Sequence, residues 1–179
     1  MSTPTIVTIG KATQDVFLKS SEAFKEFVHK GVHYEQLPVG QKLDLEEVYF
    51  STGGNVTNAA VTFARQGLNS KYAWCLGTDP SSEMILHSLD KEGVETSRVF
   101  QGEHFRPSYS TELMLGGGER TILNYRGSMP GAHDSELDLS IIEEGDWIYI
   151  SSLGDMDLLE QIITRAAEHK VKVMLNPAG

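Results

Sequence analysis

The sequence predicts an α/β fold in which a mainly parallel β-sheet is covered by helices on both faces. Three observations indicate this fold: the strands are short and apolar, helices of roughly a dozen residues separate them, and strands and helices alternate along the chain. Parallel strands need long crossovers and are buried on both faces, so they are apolar throughout. A chain of 179 residues with 40% hydrophobic content is enough for one domain of this kind.

The first half of the chain supplies two pairs of strand and helix. Thr5 to Ile9 is a β-branched run followed by a glycine, which predicts a central strand. Asn55 to Gly67 places apolar residues on one helical face and ends on a glycine, as helices commonly do. Tyr72 to Leu76 is predicted to be the next strand, and Ser81 to Glu92 the next helix.

The same alternation returns near the end of the chain. Trp147 to Ile150 is predicted to be a strand, Asp155 to His169 an amphipathic helix and Val171 to Leu175 a further strand. These elements extend the predicted parallel sheet.

Two segments interrupt the alternation, at about residues 16–50 and 109–125. Tyr109 to Leu115 and Arg120 to Tyr125 alternate around a glycine-rich turn, which predicts a β-hairpin. The earlier segment is polar and mixed, with one predicted strand from Leu43 to Phe50. Strands inserted into an α/β sheet commonly cover the ligand crevice, so we expect both segments to form a lid.

Composition argues against several classes of partner. Asp and Glu number 25 against 15 Lys and Arg, and this net charge of -10 repels nucleic acid backbones. The first residues contain no apolar signal stretch, and no apolar segment has the length of a membrane span, so we expect a cytoplasmic protein without membrane partners. Cys75 is the only cysteine, and its apolar surroundings predict a buried thiol.

The segment from Ser51 to Asn58 carries the most informative chemistry. Gly53 and Gly54 allow the backbone to approach a ligand closely, and the helix that follows begins with unpaired N–H groups. Such a helix start binds hydroxyls or anions. The alternative is an ordinary glycine turn in which an Asn or Thr side chain caps the helix.

Two polar side chains add to this candidate site. Asp15 follows the first strand and is expected at the carboxyl edge of the sheet, where a carboxylate accepts two sugar hydroxyl hydrogen bonds. The alternative for Asp15 is a solvated turn residue, and for Asn58 an amide on the helix surface. Asp79 is predicted to cap the second helix.

No metal site is predicted. His29 and His33 have the spacing of a ligand pair on a helix, but a glycine lies between them and no third ligand is evident. Asp134, Glu136 and Asp138 are explained by a solvated acidic loop.

In combination these motifs resemble the ribokinase-like, or PfkB-type, carbohydrate kinases. The resemblance spans nearly the whole chain, and the segments that carry it are Asp15 after the first strand, Gly53-Gly54 with Asn58, Gly77-Thr78-Asp79, Gly118-Glu119-Arg120-Thr121 and Leu175-Asn176-Pro177-Ala178. The fold that this resemblance implies is an incomplete ribokinase-like αβα sandwich with a β-strand lid. The chain would be the amino-terminal part of a single kinase domain.

The family resemblance also implies an activity, namely ATP- and Mg2+-dependent phosphorylation of a hydroxyl of a sugar, nucleoside or related compound. By position, Asp15, Gly53, Gly54 and Asn58 would hold the hydroxyls of the acceptor. Arg126 is a further candidate contact, with a cation on the lid surface as the alternative. Any polyol would be recognised by the same residue types, so the resemblance implies a class of acceptor.

The catalytic base of this family lies in a Gly-Ala-Gly-Asp motif, which is absent from these 179 residues. We therefore expect the chain alone to be inactive and to bind no ATP or Mg2+ tightly. A homodimer is also expected, through the lid or through the exposed sheet edge at Val171 to Leu175. The alternative function is a non-catalytic sugar-binding or assembly module built on half of the fold.

Overall fold

A computed structural model describes residues 2–177 and divides them into two compact units. One unit contains the described residues up to 14 together with 52–108 and those from 126 onward, and the other contains 15–51 and 109–125. Within the described residues, no helix is both long enough and apolar enough to cross a membrane.

A four-stranded parallel sheet forms the centre of the first unit. Its spatial order is β12-β11-β1-β6, with β1 Thr5–Ile9, β6 Asn69–Ala73, β11 Trp147–Ser151 and β12 Lys172–Asn176. Every pair in this sheet is parallel. The predicted α/β fold with a parallel sheet is therefore confirmed.

Three α-helices connect these strands, namely α1 Asn55–Arg65, α2 Pro80–Lys91 and α3 Met156–Glu168. Asp79 caps α2, as predicted, because its Oδ1 accepts hydrogen bonds from the amides of Ser81 and Ser82. Asp155 caps α3 in the same way through the amide of Leu158. A short 3-10 helix at Leu139–Glu144 precedes β11.

The core lies between the sheet and the helices. Most of its side chains below 1% exposure come from three sheet strands and the three α-helices. They include Val7, Ile9, Tyr72, Ile148, Ile150, Val56, Ala60, Ile85, Leu89, Ile162 and Ala166. Cys75 is buried among them, which confirms the predicted core thiol. Burial is the main reason that the pKa of this thiol is raised to about 12.

The predicted strand from Tyr72 to Leu76 is wrong in its bounds, because the chain changes pairing partner at Trp74. Residues 69–73 pair with β1, whereas β7 Cys75–Leu76 pairs in parallel with β8 Phe100–Gln101. The Trp74 carbonyl accepts a hydrogen bond from the amide of Phe100, so the new pairing starts where the old one ends.

A second four-stranded sheet accounts for most of the other unit. Its order is β10-β9-β2-β5, with β2 Thr13–Lys19, β5 Glu47–Gly53, β9 Ser108–Met114 and β10 Arg120–Tyr125. The predicted hairpin is confirmed by the antiparallel pairing of β9 with β10. The strand predicted from Leu43 begins only at Glu47. Leu43 itself packs against a small core of Ala23, Phe24 and Leu113.

The sequence patterns did not predict β2, nor did they predict a separate hairpin of β3 Lys25–His29 with β4 Val32–Gln36. The turn residues Lys30 and Gly31 have φ values of 51° and 77°, and two positive φ angles in succession are typical of a tight hairpin turn. His29 and His33 therefore lie on paired strands and not on one helix. The His33 ring forms an ion pair with Glu26.

Candidate functional site

The Gly53-Gly54 turn in the first unit lies against the segment that follows β1. Gly54 has a φ of 106°, and a Cβ at this residue would lie 2.9 Å from the carbonyl oxygen of Lys11 and 3.4 Å from the amide nitrogen of Thr13. Gly10 is equally constrained, since its Cβ would lie 1.9 Å from the carbonyl oxygen of Ser151. Both positions therefore require glycine.

The start of α1 has no side-chain cap. Its N-cap residue is Gly54, and the first turn contains no acidic residue. Thr57 is buried and donates its hydroxyl to the Gly53 carbonyl at 2.6 Å, so it fixes the turn from within the helix. The alternative of an Asn or Thr cap is therefore wrong, and the first amides of α1 lack a side-chain acceptor.

Asn58 lies in the first turn of this helix and is exposed. Its amide donates to the Gly54 carbonyl at 3.0 Å, and its carbonyl accepts the Thr62 hydroxyl at 2.7 Å. The backbone of Asn58 thus belongs to the helix, while its side chain is on the surface. The structure leaves open both sequence interpretations of this residue, a ligand contact and a surface amide.

Asp15 belongs to the second unit, where it lies inside β2 and is half-buried. The alternative of a solvated turn residue is wrong, because Asp15 lies within a strand that has already begun at Thr13. Burial and the nearby carboxylate of Glu112 raise the pKa of Asp15, and a hydrogen bond from Ser110 opposes them.

Glu112 lies on β9 and is 8% exposed. It forms an ion pair with Arg120 of the adjacent strand, with 2.9 Å between Oε2 and Nε. Two carboxylates, those of Asp15 and Glu112, therefore interact electrostatically in the second unit. A carboxylate such as Asp15 in these surroundings is suited to accept hydrogen bonds from hydroxyl groups.

Two cations of the first unit, Lys11 and Arg126, interact electrostatically. Burial and the charge of Arg126 lower the pKa of Lys11. Arg126 itself is exposed, which agrees both with a contact to the acceptor and with a surface cation. Sequence analysis missed Lys11, although its place directly after the central strand was a usable signal, because ligands bind at the carboxyl ends of parallel strands.

The predicted site residues thus fall into two groups. Gly53, Gly54, Asn58 and Arg126 belong to the first unit, and the structure adds Lys11 to them. Asp15 belongs to the second unit, with Glu112 and Ser110 as its neighbours.

Residues that would hold ATP or a metal are not evident in the described chain. Residues 2–177 contain no group of three His, Cys, Asp or Glu side chains that could bind a metal ion. The segment most similar to Gly-Ala-Gly-Asp is Gly131-Ala132-His133-Asp134. Here Asp134 accepts a hydrogen bond from the amide of Gly131 at 2.7 Å and closes its own turn.

Comparison with known proteins gives a consistent result. Residues 5–179 match the family described as pfkB family carbohydrate kinase. A fructokinase of Salmonella typhimurium is 30% identical over 102 residues, which cover 57% of this chain and 33% of that protein. A ribokinase of Haemophilus influenzae is 25% identical over 146 residues, which cover 78% of this chain and 46% of that protein.

A solved structure of Arabidopsis thaliana ribokinase, complexed with ribose and ATP, has the same fold. Its TM-score is 0.78 at 19% identity, and the match covers 97% of this chain and 53% of that one. The chain therefore spans about half the length of this kinase and less than half of the two curated relatives. The ribokinase-like fold predicted from sequence is confirmed.

The Gly54 backbone lies close to the Lys11 carbonyl, so a side chain at this position should destabilise the fold. Gly54→Ala should lower the free energy of unfolding by roughly 1–3 kcal/mol, the range for a strained backbone, and by more than Gly67→Ala. Gly67 has a φ of 79° but open space around its Cβ position, so it shares the strain without the contact. Urea denaturation measures both variants. Equal losses would contradict the importance of the contact with Lys11.

Proposed function

The chain belongs to the pfkB family of carbohydrate kinases, and from this premise we propose that it forms the substrate-binding part of an ATP-dependent kinase. The reaction would phosphorylate a hydroxyl of a sugar, a nucleoside or a related small molecule. The observation that carries the proposal is the bare start of α1, where Gly54 replaces a capping side chain. A polyol hydroxyl would take the place of that cap.

In this proposal, Gly53, Gly54 and Asn58 supply hydrogen-bond donors to the oxygens of the acceptor. Asp15 supplies the complementary acceptor, because an ionised carboxylate takes hydrogen bonds from two hydroxyls. A hydroxyl group both donates and accepts, so this combination suits a polyol better than an apolar ligand. Arg126 is assigned a further contact with the acceptor.

The second unit has the proposed role of a lid. Phosphoryl transfer depends on holding the two reactants in position and on keeping competing water away from the transferred group. When the acceptor is bound, a β-sheet that carries a substrate-binding carboxylate would hold the acceptor in position and keep water away from the transferred group. The raised pKa of Asp15 would then make acceptor binding sensitive to acid.

ATP and Mg2+ would supply the phosphoryl group and the neutralising charge in the full-length kinase. The Gly-Ala-Gly-Asp motif that carries the catalytic base in this family is absent from these 179 residues. We therefore propose that nucleotide binding and the catalytic base lie in other parts of the parent protein. The contribution of these 179 residues is to bind and orient the acceptor.

We also propose that the chain forms a homodimer through its second unit. The two edge strands of that sheet, β5 and β10, carry large exposed apolar side chains, including Phe50, Leu123 and Tyr125 at 56% exposure or more. Exposed apolar edge strands favour pairing with another chain.

Replacing Asp15 tests the binding proposal. Asp15→Asn should weaken polyol binding by about 1.5–3 kcal/mol, the range for hydrogen bonds to a charged group. The thermal midpoint at neutral pH should not fall, because a pKa raised by folding means that the ionised carboxylate is disfavoured in the folded state. Calorimetry and thermal denaturation measure the two effects.

Asp90→Asn, on the exposed end of α2, is the charge-matched control and should bind like the wild type. Wild-type affinity should also decline as the pH falls through the pKa of Asp15, starting at a higher pH than for an ordinary aspartate. Unchanged affinity in Asp15→Asn would contradict a role of this residue in binding.

The chain alone is predicted to transfer no phosphoryl group. Attack on a phosphate requires a base near the acceptor hydroxyl, donors for the transferred charge and a metal-bound nucleotide. A coupled assay with ATP, Mg2+ and a panel of sugars and nucleosides measures this. Acceptor-dependent turnover by the purified chain, abolished in Asp15→Ala, would overturn the assignment of catalysis to other parts of the parent.

Sedimentation velocity tests the proposed dimer. The wild-type chain should show a concentration-dependent dimer, and Leu123→Lys should shift the equilibrium toward the monomer by charging the edge strand. Met156→Lys changes an even more exposed apolar residue of the first unit and should leave the dimer intact. A wild-type monomer at high concentration would contradict the proposal.

A further inference from the structure

Tyr72 is a fully buried residue of β6 whose hydroxyl lies just past the end of β1. The residue is 0% exposed, and its hydroxyl donates a hydrogen bond to the carbonyl of Gly10 at 2.9 Å. Tyr72 and Gly10 are 62 residues apart in the sequence, so this bond joins β6 to the segment that follows β1. A phenylalanine would fill the same apolar space without a polar group to satisfy. The hydroxyl therefore has a role other than filling space.

The segment that Tyr72 holds lies directly against the start of α1. A Cβ on Gly10 would lie 2.7 Å from the Cγ2 methyl group of Val56. The carbonyl oxygen of Lys11 lies 2.9 Å from the position that a Cβ on Gly54 would occupy. Contacts this close leave no free space between the two segments. The position of residues 10–13 therefore fixes the position of residues 54–56.

Thr57 holds the same turn from within the helix. Its side chain is buried, and its hydroxyl lies 2.6 Å from the Gly53 carbonyl oxygen and 3.1 Å from that of Gly54. Threonine is stiff about its first side-chain torsion, and a hydrogen bond to a carbonyl one turn earlier restricts it further. Two adjacent glycines would otherwise be the most flexible part of this segment. Tyr72 and Thr57 thus restrain the turn through two separate hydroxyl groups.

We propose that Tyr72 and Thr57 are positioning residues for the acceptor, because their hydroxyls hold the amides of residues 54–56 in the geometry that binds a polyol. This inference rests on the proposed function, which assigns acceptor binding to those amides. Both side chains act through the backbone, since each hydroxyl already donates its proton to a carbonyl. A turn that is ordered before binding loses less conformational entropy on binding, so the same hydrogen bonds give a tighter complex.

Removal of each hydroxyl alone tests the proposal on the complete 179-residue chain. The probe is D-glucitol, a neutral polyol, and amide chemical shifts measure its dissociation constant well below the thermal midpoint of each variant. Tyr72→Phe and Thr57→Val should each weaken D-glucitol binding about three- to tenfold, which corresponds to the net strength of one hydrogen bond. Thr57→Ser keeps the hydroxyl and should bind D-glucitol within about twofold of the wild type.

Ser70→Ala is the matched control for the loss of a buried hydroxyl. Ser70 is also buried on β6, and its hydroxyl donates to the carbonyl of Ala60, in the middle of α1, at 2.8 Å. Its removal should lower the thermal midpoint, as in the two test variants, because a buried carbonyl loses its donor. The D-glucitol affinity should stay the same, because Ala60 lies beyond the first turn of α1.

NMR relaxation of the backbone amide nitrogens measures the order of the turn in the chain without ligand. The order parameters of residues 54–56 should fall in Tyr72→Phe and Thr57→Val, because each variant releases one restraint on the turn. In Ser70→Ala they should stay at their wild-type values. A residue that served packing alone would lower the thermal midpoint without this local change.

The outcomes separate this inference from the proposed function. Wild-type D-glucitol affinity in both Tyr72→Phe and Thr57→Val would overturn the positioning role and leave the polyol-binding function intact. Equal weakening in Ser70→Ala would also overturn that role, since the loss would then follow from general destabilisation. Absence of binding in the wild type would overturn the proposed function and the positioning role with it. Unchanged order parameters in both test variants would overturn the positioning role alone.

Discussion

The contact between the Gly54 turn and the Lys11 carbonyl is the constraint on which the first unit depends. At 2.9 Å from a backbone oxygen, a Cβ would have no room. The same absence of a side chain leaves the start of α1 without a cap, so one glycine brings two segments together and exposes backbone donors. Packing and binding are thus two consequences of one local geometry.

The parallel sheet could be predicted from the sequence because its strands are buried on both faces. In Thr5 to Ile9 and Trp147 to Ile150, for example, no residue is exposed, and apolar residues predominate. The hairpin of β3 and β4 could not be predicted from periodicity, because nearly all of its residues are exposed on both faces. Its one local signal was the Lys30-Gly31 turn.

Some residues of the candidate site could likewise be predicted from the sequence, whereas others could not. Gly53, Gly54 and Asp15 stand out in the sequence because, together with the other motifs, they resemble the PfkB-type kinases. Lys11 does not, since a lysine after a strand is usually a surface residue. The lowered pKa of Lys11 depends on burial and on the charge of Arg126, which is distant in the sequence. Such electrostatic relations appear only once the chain is folded.

Amide chemical shifts test most directly whether the Gly53-Gly54 turn and Asp15 bind a polyol. In a titration of the labelled chain with D-glucitol, the amides of Gly54, Asn55 and Val56 should shift with one dissociation constant. The same titration of Asp15→Asn should need more ligand for the same change. Shifts confined to other parts of the chain, or no shifts at saturating ligand, would contradict the claim.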